Sequence, residues 1–232
     1  VNRICTDRVS ILLFAPTPEA KKQLLREGVS PSKIRVVGNT IEDILKIRIG
    51  EAEAKSDVLS RYQLSAHEFV LLTVHRQENT DDLVRLVEIL NAIFDSAEKF
   101  KLKVIFPVHP RTRNRLLEAE FNFPAHVIVS EPIGYDDFLV LEKNARMIAS
   151  DSGGLQEEAC ILKVPCITLR ENTERPETIR IQSNVLAGVR GARIKGAFQK
   201  MMKSKRKWKS PYGGGRASQK IIQAILKSKF FS

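Results

Sequence analysis

The chain has 232 residues, of which 43% are hydrophobic and 28% are charged, and its formal net charge is +11. This composition is ordinary for a globular protein with one large domain or two modest ones. No apolar run approaches the length of a membrane span, and the first residues, Val1-Asn2-Arg3, show no signal-peptide pattern. We therefore predict a cytoplasmic protein without a membrane span.

The positive charge is concentrated near the C-terminus. Glu177 is the last acidic residue, and the 55 positions after it hold 14 Lys or Arg, whereas the first 177 residues hold 24 basic and 27 acidic residues. Such a tail can indicate affinity for nucleic acid or for an anionic membrane. We favour a solvated helix and loop over residues 197–209, whose field suits an anionic ligand or partner surface. Nucleic acid is not an expected partner.

The three cysteines are widely spaced and do not form CxxC pairs. Cys5, Cys160 and Cys166 all lie in apolar surroundings. This pattern favours buried free thiols in a reducing compartment, and it does not favour a metal site.

The first part of the chain alternates short strands and helices. Apolar periodicity predicts the end of a helix at 4–10, a strand at 11–15, a helix at 17–27, a strand at 34–37 and a helix from 41 to about 49. Segment 50–66 is polar and is predicted to be a connector with a helix around 54–62.

A longer alternation of strands and helices begins at residue 69. The predicted strands are 69–74, 103–107, 127–129, 145–149 and 165–168, and the predicted helices are 81–99, 112–118, 135–143, 153–161 and 174–181. Continuous apolar strands in a βαβ repeat favour a parallel sheet covered on both faces. We therefore predict an α/β fold with a Rossmann-like, doubly wound parallel sheet. In such folds the ligand binds beyond the carboxyl ends of the strands.

A Gly-Gly turn is the most informative local motif. The apolar run 145–149 leads through Asp151 and Ser152 to Gly153-Gly154, where the helix 153–161 is predicted to begin. Small residues let backbone N–H groups approach an anion, and the first turn of a helix leaves those groups unpaired. Alone, such a turn is more often a tight connection than a ligand site.

Cationic residues follow several of the predicted strands. They are His75, Arg76, His109, Arg111, Arg113, Arg170 and Arg175. Each has an ordinary interpretation, as a loop hydrogen-bonding group or a solvated cation. Packing alone does not explain why all of them follow strand ends, and together they predict a ligand that carries phosphates.

Six motifs, in the same order along the chain, resemble those of a known family. They are HRQEN (75–79), PVHPRTR (107–113), EPIGYDDF (131–138), SDSGGLQEEA (150–159), RENTERPE (170–177) and PYGGGRAS (211–218). Together they resemble the non-hydrolysing UDP-N-acetylglucosamine 2-epimerases, collinearly over nearly the whole chain. The resemblance implies a glycosyltransferase-B-like architecture of two Rossmann-like domains, of which this chain is the C-terminal part.

The resemblance also implies domain boundaries. The expected segments are a remnant of the N-terminal Rossmann-like domain at 1–45, a linker at 46–66, a UDP-binding Rossmann-like domain at 67–212, and a C-terminal helix at 213–232 that packs back toward the N-terminal domain.

The family reaction interconverts UDP-N-acetylglucosamine and UDP-N-acetylmannosamine, by elimination of UDP and its re-addition. The resemblance implies no cofactor, no metal, a role in polysaccharide synthesis and a homodimer for the full-length protein. It assigns the catalytic carboxylates to the N-terminal domain, and they have no counterpart here. The chain is therefore expected to bind UDP but to be catalytically incomplete.

Site residues are carried over position by position. His75 matches the active-site histidine, which contacts the diphosphate and is a candidate acid for the leaving oxygen. The other implied UDP contacts are Ser152, Gly153, Gly154 and Arg175 at the diphosphate, Glu158 at the ribose hydroxyls, and Phe138 on uracil. Arg76 and His109 match an allosteric UDP-N-acetylglucosamine site of bacterial members.

Three points stay open at this level. Phe138 has the spacing of a core residue with Leu139 and Leu141, and Ile133 stands where some members have a uracil-contacting Gln. A glycosyltransferase of the same half-fold would hold a nucleotide sugar in a similar way but would need an acceptor. A non-enzymatic nucleotide-binding module is the third interpretation.

Overall fold

The computed structural model describes residues 2–228, so residues 1 and 229–232 of the predicted terminal segments lie outside it. The chain divides into two compact units. The described residues of 1–48 and 210–232 form the first unit, and residues 49–209 form the second.

The helices and strands alternate along most of the chain. The helices are α1 (Asn2–Val9), α2 (Pro18–Arg26), α3 (Thr40–Lys55), α4 (Val58–Arg61), α5 (Gln77–Thr80), α6 (Leu83–Lys99), α7 (Pro110–Glu118), α8 (Tyr135–Asn144), α9 (Gly153–Ile161), α10 (Pro176–Arg180), α11 (Gly191–Met202) and α12 (Ala217–Leu226), with a 3₁₀ turn at Pro31–Lys33. The strands are β1 (Leu13–Ala15), β2 (Ile34–Val36), β3 (Phe69–Thr73), β4 (Lys103–Pro107), β5 (Val127–Ser130), β6 (Met147–Ser150), β7 (Cys166–Thr168) and β8 (Asn184–Leu186).

The first unit contains a two-stranded parallel sheet, β1–β2. The start of α12 lies beside the start of α3, where Asp43 accepts hydrogen bonds from the Ala217 and Ser218 amides at 3.0 and 2.7 Å. Gly38 has φ +100°, and a Cβ there would lie 2.4 Å from the Tyr212 carbonyl oxygen. Only glycine permits this approach of the two backbones.

The second unit contains a six-stranded parallel sheet in the order β5-β4-β3-β6-β7-β8. Numbered within the sheet, this order is 3-2-1-4-5-6, the Rossmann arrangement. The α/β prediction is therefore confirmed. The strand order reverses between β3 and β6, which are neighbours paired in parallel. In this arrangement the connections that leave the two strands run to opposite faces of the sheet, and a crevice forms at the carboxyl edge.

Successive residues of each strand point to opposite faces of the sheet, and both sets contribute to the hydrophobic core. Val70, Leu72, Val104 and Phe106 face a cluster that includes the apolar sides of α6 and α11. The alternate residues, such as Leu71, are equally buried, so both faces of the sheet are covered. Continuous burial explains why these strands are uniformly apolar.

Several element predictions are wrong in detail. The predicted helix 41–49 continues to Lys55, because Gly50 is exposed with free space around it and helix-forming residues follow. The strand β8 is absent from the sequence-based prediction, since it begins at Asn184, a residue type that is depleted in strands. The helix α11 is not simply solvated, because Ile194 and Phe198 are buried in the core. Cys5 is exposed, whereas Cys160 and Cys166 are buried.

Candidate functional site

The ends of β3 and β6 are joined side by side at the crevice. Thr73 and Ser150 are paired in register, and their hydroxyl oxygens are 2.7 Å apart. The Ser150 hydroxyl also accepts a hydrogen bond from the Ser152 amide at 2.9 Å. These contacts bring the loop after β3, which begins at Val74, next to the turn after β6.

The turn after β6 presents the N-terminus of α9. Ser152 is the N-cap, and its hydroxyl accepts a hydrogen bond from the Leu155 amide at 3.5 Å. Gly153 and Gly154 are the next two residues, whose N–H groups have no partner within a helix. A Cβ on Gly153 would approach only Glu174 Oε2, at 3.7 Å, and one on Gly154 only Ser152 Oγ, at 3.8 Å. Other elements therefore do not crowd either glycine, and the unpaired N–H groups of a helix N-terminus favour an anion.

Asp151 connects this turn to the loop after β3. Its buried carboxylate accepts hydrogen bonds from the His75 amide at 3.1 Å, the Arg76 amide at 2.9 Å and Asn79 Nδ2 at 3.1 Å. Burial acts against ionisation, but the hydrogen bonds from His75, Arg76 and Asn79 outweigh it and lower the pKa of Asp151. The sequence pattern assigns no role to Asp151 or Asn79, although Asp151 lies just before the Gly-Gly turn.

The same carboxylate orients the His75 ring. His75 Nδ1 lies 3.0 Å from Asp151 Oδ1, while 52% of the His75 side chain is exposed. A carboxylate only accepts hydrogen bonds, so Nδ1 carries a proton and Nε2 is left for a ligand. This places a half-exposed imidazole on the rim of the crevice.

Hydrogen bonds from the loop before α10 hold Arg175 beside α9. Its backbone amide donates to Thr173 Oγ1 at 3.0 Å, and Thr173 Oγ1 donates to the buried Gln156 Oε1 at 2.5 Å. The Arg175 Nε atom lies 2.5 Å from Glu157 Oε1. The guanidinium is thus held one helical turn from the Gly-Gly turn, and 30% of its side chain is exposed.

The cationic edge is partly neutralised by acidic neighbours. Arg170 lies 3.1 Å from Glu78 and 3.0 Å from Glu174, and it is buried. Arg111 pairs with Asp81 at 2.9 Å, and Arg113 pairs with Glu131. Arg111, Arg113 and Arg170 are thus held by acidic side chains, as Arg175 is by Glu157 and His75 by Asp151.

A cavity of about 220 Å³ lies beside the end of β3. Phe138 lines it together with His75, Pro107, His109, Pro132 and Ile133. Phe138 is half-buried, whereas Leu139 and Leu141 behind it are fully buried. Phe138 thus differs from its core neighbours, and the cavity offers an apolar wall for a flat ring.

Arg76 and His109 lie on different sides of His75. Arg76 lines a separate cavity of about 480 Å³ with His75, Gln77 and Glu78. His109 lines the 220 Å³ cavity, and its Nδ1 accepts a hydrogen bond from the Arg111 amide at 3.2 Å, which caps α7. His75 borders both cavities.

Glu158 lies on the same face of α9 as Gly154, one turn further along. Its side chain is largely buried, and Glu142 of α8 lies close enough for the two carboxyl groups to affect each other's pKa. Burial, first, and the nearby Glu157 charge raise the pKa of Glu158, although the Glu142 hydrogen bond opposes them. Glu142 is not among the predicted site residues, since in the sequence it is one of three acidic positions of its helix, with Asp136 and Asp137.

Two further properties concern metals and membranes. Within residues 2–228, His, Cys, Asp and Glu do not form a group that could hold a metal ion. None of the helices in that part of the chain is long and apolar enough to cross a bilayer.

Comparison with known proteins gives one consistent result. Residues 1–226 match the family described as UDP-N-acetylglucosamine 2-epimerase. A UDP-N-acetylglucosamine 2-epimerase of Methanococcus maripaludis is 45% identical, over 98% of this chain and 64% of the relative. The chain therefore spans less than two thirds of the length of such relatives.

Comparison with solved structures gives the same family. The UDP-GlcNAc 2-epimerase of Methanocaldococcus jannaschii, in complex with UDP-GlcNAc and UDP, is 44% identical with a TM-score of 0.88, over 98% of this chain and 64% of that one. The enzyme from Neisseria meningitidis bound to UDP-GlcNAc is 30% identical with a TM-score of 0.87, over 98% and 64% of the two chains.

Proposed function

Because the chain belongs to the UDP-N-acetylglucosamine 2-epimerase family, we propose that it binds the UDP part of a UDP-sugar at the carboxyl edge of its six-stranded sheet. The observation that carries the proposal is the crevice between β3 and β6. There the strand order reverses, and an open helix N-terminus, an exposed imidazole and an arginine lie together. The bound UDP-GlcNAc and UDP of the Methanocaldococcus jannaschii relative support it.

The diphosphate binds at the N-terminus of α9. The free N–H groups of Gly153 and Gly154 donate to phosphate oxygens, and the positive end of the helix dipole favours their charge. Ser152 holds the turn in shape as N-cap. Arg175 approaches the same phosphates from the loop before α10, and its planar guanidinium suits two phosphate oxygens at once.

The nucleoside extends from the diphosphate along two surfaces. The uracil ring stacks on Phe138 in the 220 Å³ cavity, where Ile133 supplies an apolar contact. Glu158 accepts hydrogen bonds from the ribose hydroxyls, because it lies one turn from Gly154 on the same helix face. Arg76 is proposed to contact a second UDP-sugar in the neighbouring cavity, with His109 on the other side of His75.

We propose that the full-length protein interconverts UDP-N-acetylglucosamine and UDP-N-acetylmannosamine. A base removes the C2 proton, the C1–O bond to UDP breaks, and a C1–C2 double bond forms; UDP then adds back as a proton returns to the other face of C2. His75 donates a proton to the leaving diphosphate oxygen through Nε2, and Asp151 stabilises the imidazolium. Cytoplasmic location and a homodimer remain predictions.

Product analysis tests this proposal. Full-length protein given UDP-N-acetylglucosamine alone, without acceptor or added cofactor, is expected to form UDP-N-acetylmannosamine. The 232-residue chain alone is expected to bind UDP with little turnover. A His75→Ala variant is expected to lose roughly 10²–10⁴-fold in turnover, the usual contribution of a general acid. His126→Ala is the control, since that ring contacts the Phe94 carbonyl elsewhere in the unit.

Two results contradict the proposal. Sugar transfer that occurs only when an acceptor is present indicates a glycosyltransferase. Full turnover by His75→Ala removes His75 from the mechanism.

A further inference from the structure

Two acidic side chains are buried together behind the crevice. Glu142 of α8 is 1% exposed and Glu158 of α9 is 8% exposed. Each carboxyl group lies close enough to the other to affect its pKa. Within residues 2–228 neither carboxyl forms an ion pair, so no cation compensates them. Two ionised carboxylates in this position would repel each other in a medium of low dielectric constant, so one of them holds a proton.

The geometry identifies Glu142 as the residue that holds the proton. Glu142 is the more deeply buried of the two, and its Oε2 atom is buried without a hydrogen-bond partner. An ionised carboxylate with an unpaired buried oxygen is costly, whereas the neutral acid tolerates it far better. Burial, followed by the Glu158 charge and hydrogen bond, raises the pKa of Glu142 well above its ordinary value.

Within residues 2–228, the charged groups that affect the pKa of Glu142 and Glu158 do not include a cation. The titratable groups that interact with the pair are Cys166 of β7, near Glu142, and Glu157 of α9, near Glu158. Burial, with contributions from Cys160 and Glu142, raises the pKa of the Cys166 thiol, which therefore stays neutral. The Glu157 carboxylate is directed to Arg175 and adds negative charge near Glu158.

We infer that Glu142 is a positioning residue which, as a neutral carboxylic acid, donates a hydrogen bond to Glu158 and fixes that carboxylate toward both ribose hydroxyls. This inference rests on the proposed function of Glu158. A glutamate side chain has three rotatable bonds, and a donor from behind restricts them before the ligand arrives. The two vicinal hydroxyls then meet oriented acceptor oxygens, so the pair confers preference for a ribose over a 2′-deoxyribose.

The test compares UDP with 2′-deoxy-UDP by calorimetric titration of the chain and two variants. Glu142→Gln retains an N–H donor and is expected to keep the ribose preference of the wild type. Glu142→Leu removes the donor and is expected to weaken UDP binding about tenfold, as when one hydrogen bond to a charged group is lost. It is expected to change 2′-deoxy-UDP binding much less. Thermal unfolding verifies that both variants are folded.

The inference is overturned if Glu142→Leu keeps the wild-type ratio of UDP to 2′-deoxy-UDP affinity, whether both affinities are unchanged or both fall by the same factor. These outcomes are distinct from failure of the proposed function, in which the wild-type chain itself does not bind UDP.

A second measurement, of folding stability against pH, tests whether Glu142 holds a proton. A group whose folded pKa is raised contributes stability that is present below its unfolded pKa, here 4.5, and is lost as pH rises through the folded pKa. Because the amide introduced by Glu142→Gln cannot titrate, that variant is expected to gain stability relative to the wild type as pH rises from about 5 to about 8. A stability difference that is the same across this range contradicts proton sharing.

Discussion

Replacing Gly154 with alanine is expected to weaken UDP binding by about 10–100-fold, the loss of one or two charge-assisted hydrogen bonds. Apart from its chain neighbours and its own helix backbone, a Cβ at this position would have Ser152 Oγ nearest, at 3.8 Å, so the protein itself accommodates it. The methyl group occupies the space through which a phosphate approaches the N–H groups of the turn. Calorimetric titration with UDP measures the change.

The same substitution is expected to leave the fold as stable as before or more so. Alanine in place of glycine within a helix reduces the conformational entropy of the unfolded chain. This raises the free energy of unfolding by about 0.4–1 kcal/mol. Gly196→Ala is the matched control, because Gly196 is exposed in α11 and a Cβ added there would have nothing within 4 Å. Both variants should unfold at equal or higher temperature, but only Gly154→Ala should lose UDP. Unaltered UDP affinity in Gly154→Ala excludes this turn as the diphosphate site.

Replacing Asp151 with asparagine is expected to destabilise the unit 49–209 by about 2–4 kcal/mol, because several hydrogen bonds to a buried charge are lost together. Asparagine has one acceptor oxygen where Asp151 meets the His75 and Arg76 amides, Asn79 and the His75 ring. The melting temperature should fall by roughly 5–15 °C for a unit of this size. His75 also loses the group that orients its ring.

The destabilisation caused by Asp151→Asn is expected to depend on pH. The folded pKa of Asp151 is lowered from 3.8, so its contribution is present above that value and is lost as pH falls through the folded pKa. The difference between wild type and Asp151→Asn should therefore be constant near neutrality and narrow below about pH 4.

Asp137→Asn is the control for this chemistry. It makes the same change at a carboxylate that is 25% exposed and paired with Arg61. Exposed ion pairs contribute about 0–1 kcal/mol. Equal destabilisation by the two substitutions contradicts the role given to Asp151.

The sheet of the second unit is largely predictable from the sequence. Strands buried on both faces, such as Phe69–Thr73, are continuous apolar runs bounded by turn residues, and their alternation with amphipathic helices favours parallel pairing. The Gly-Gly turn is equally visible, because a strand end, an N-cap serine and a helix start follow one another within a few residues.

The remaining features depend on contacts between distant residues. Local pattern does not show that Arg170, Arg111 and Arg113 are engaged by acidic partners, since most of those partners come from other segments. The interactions of Asp151 with His75 and of Glu142 with Glu158 likewise join residues of separate elements. The sequence does not reveal that two acids are buried side by side, because their burial and their contacts are set by residues from other elements.

Calorimetric titration of the chain with UDP and with uridine is the most direct test of the central claim. If the α9 N-terminus, His75 and Arg175 bind the diphosphate, UDP must bind at least about tenfold more tightly than uridine, the effect of one hydrogen bond to a charged group. Equal binding of UDP and uridine, or no binding of UDP, would contradict the claim that this sheet edge is a UDP site.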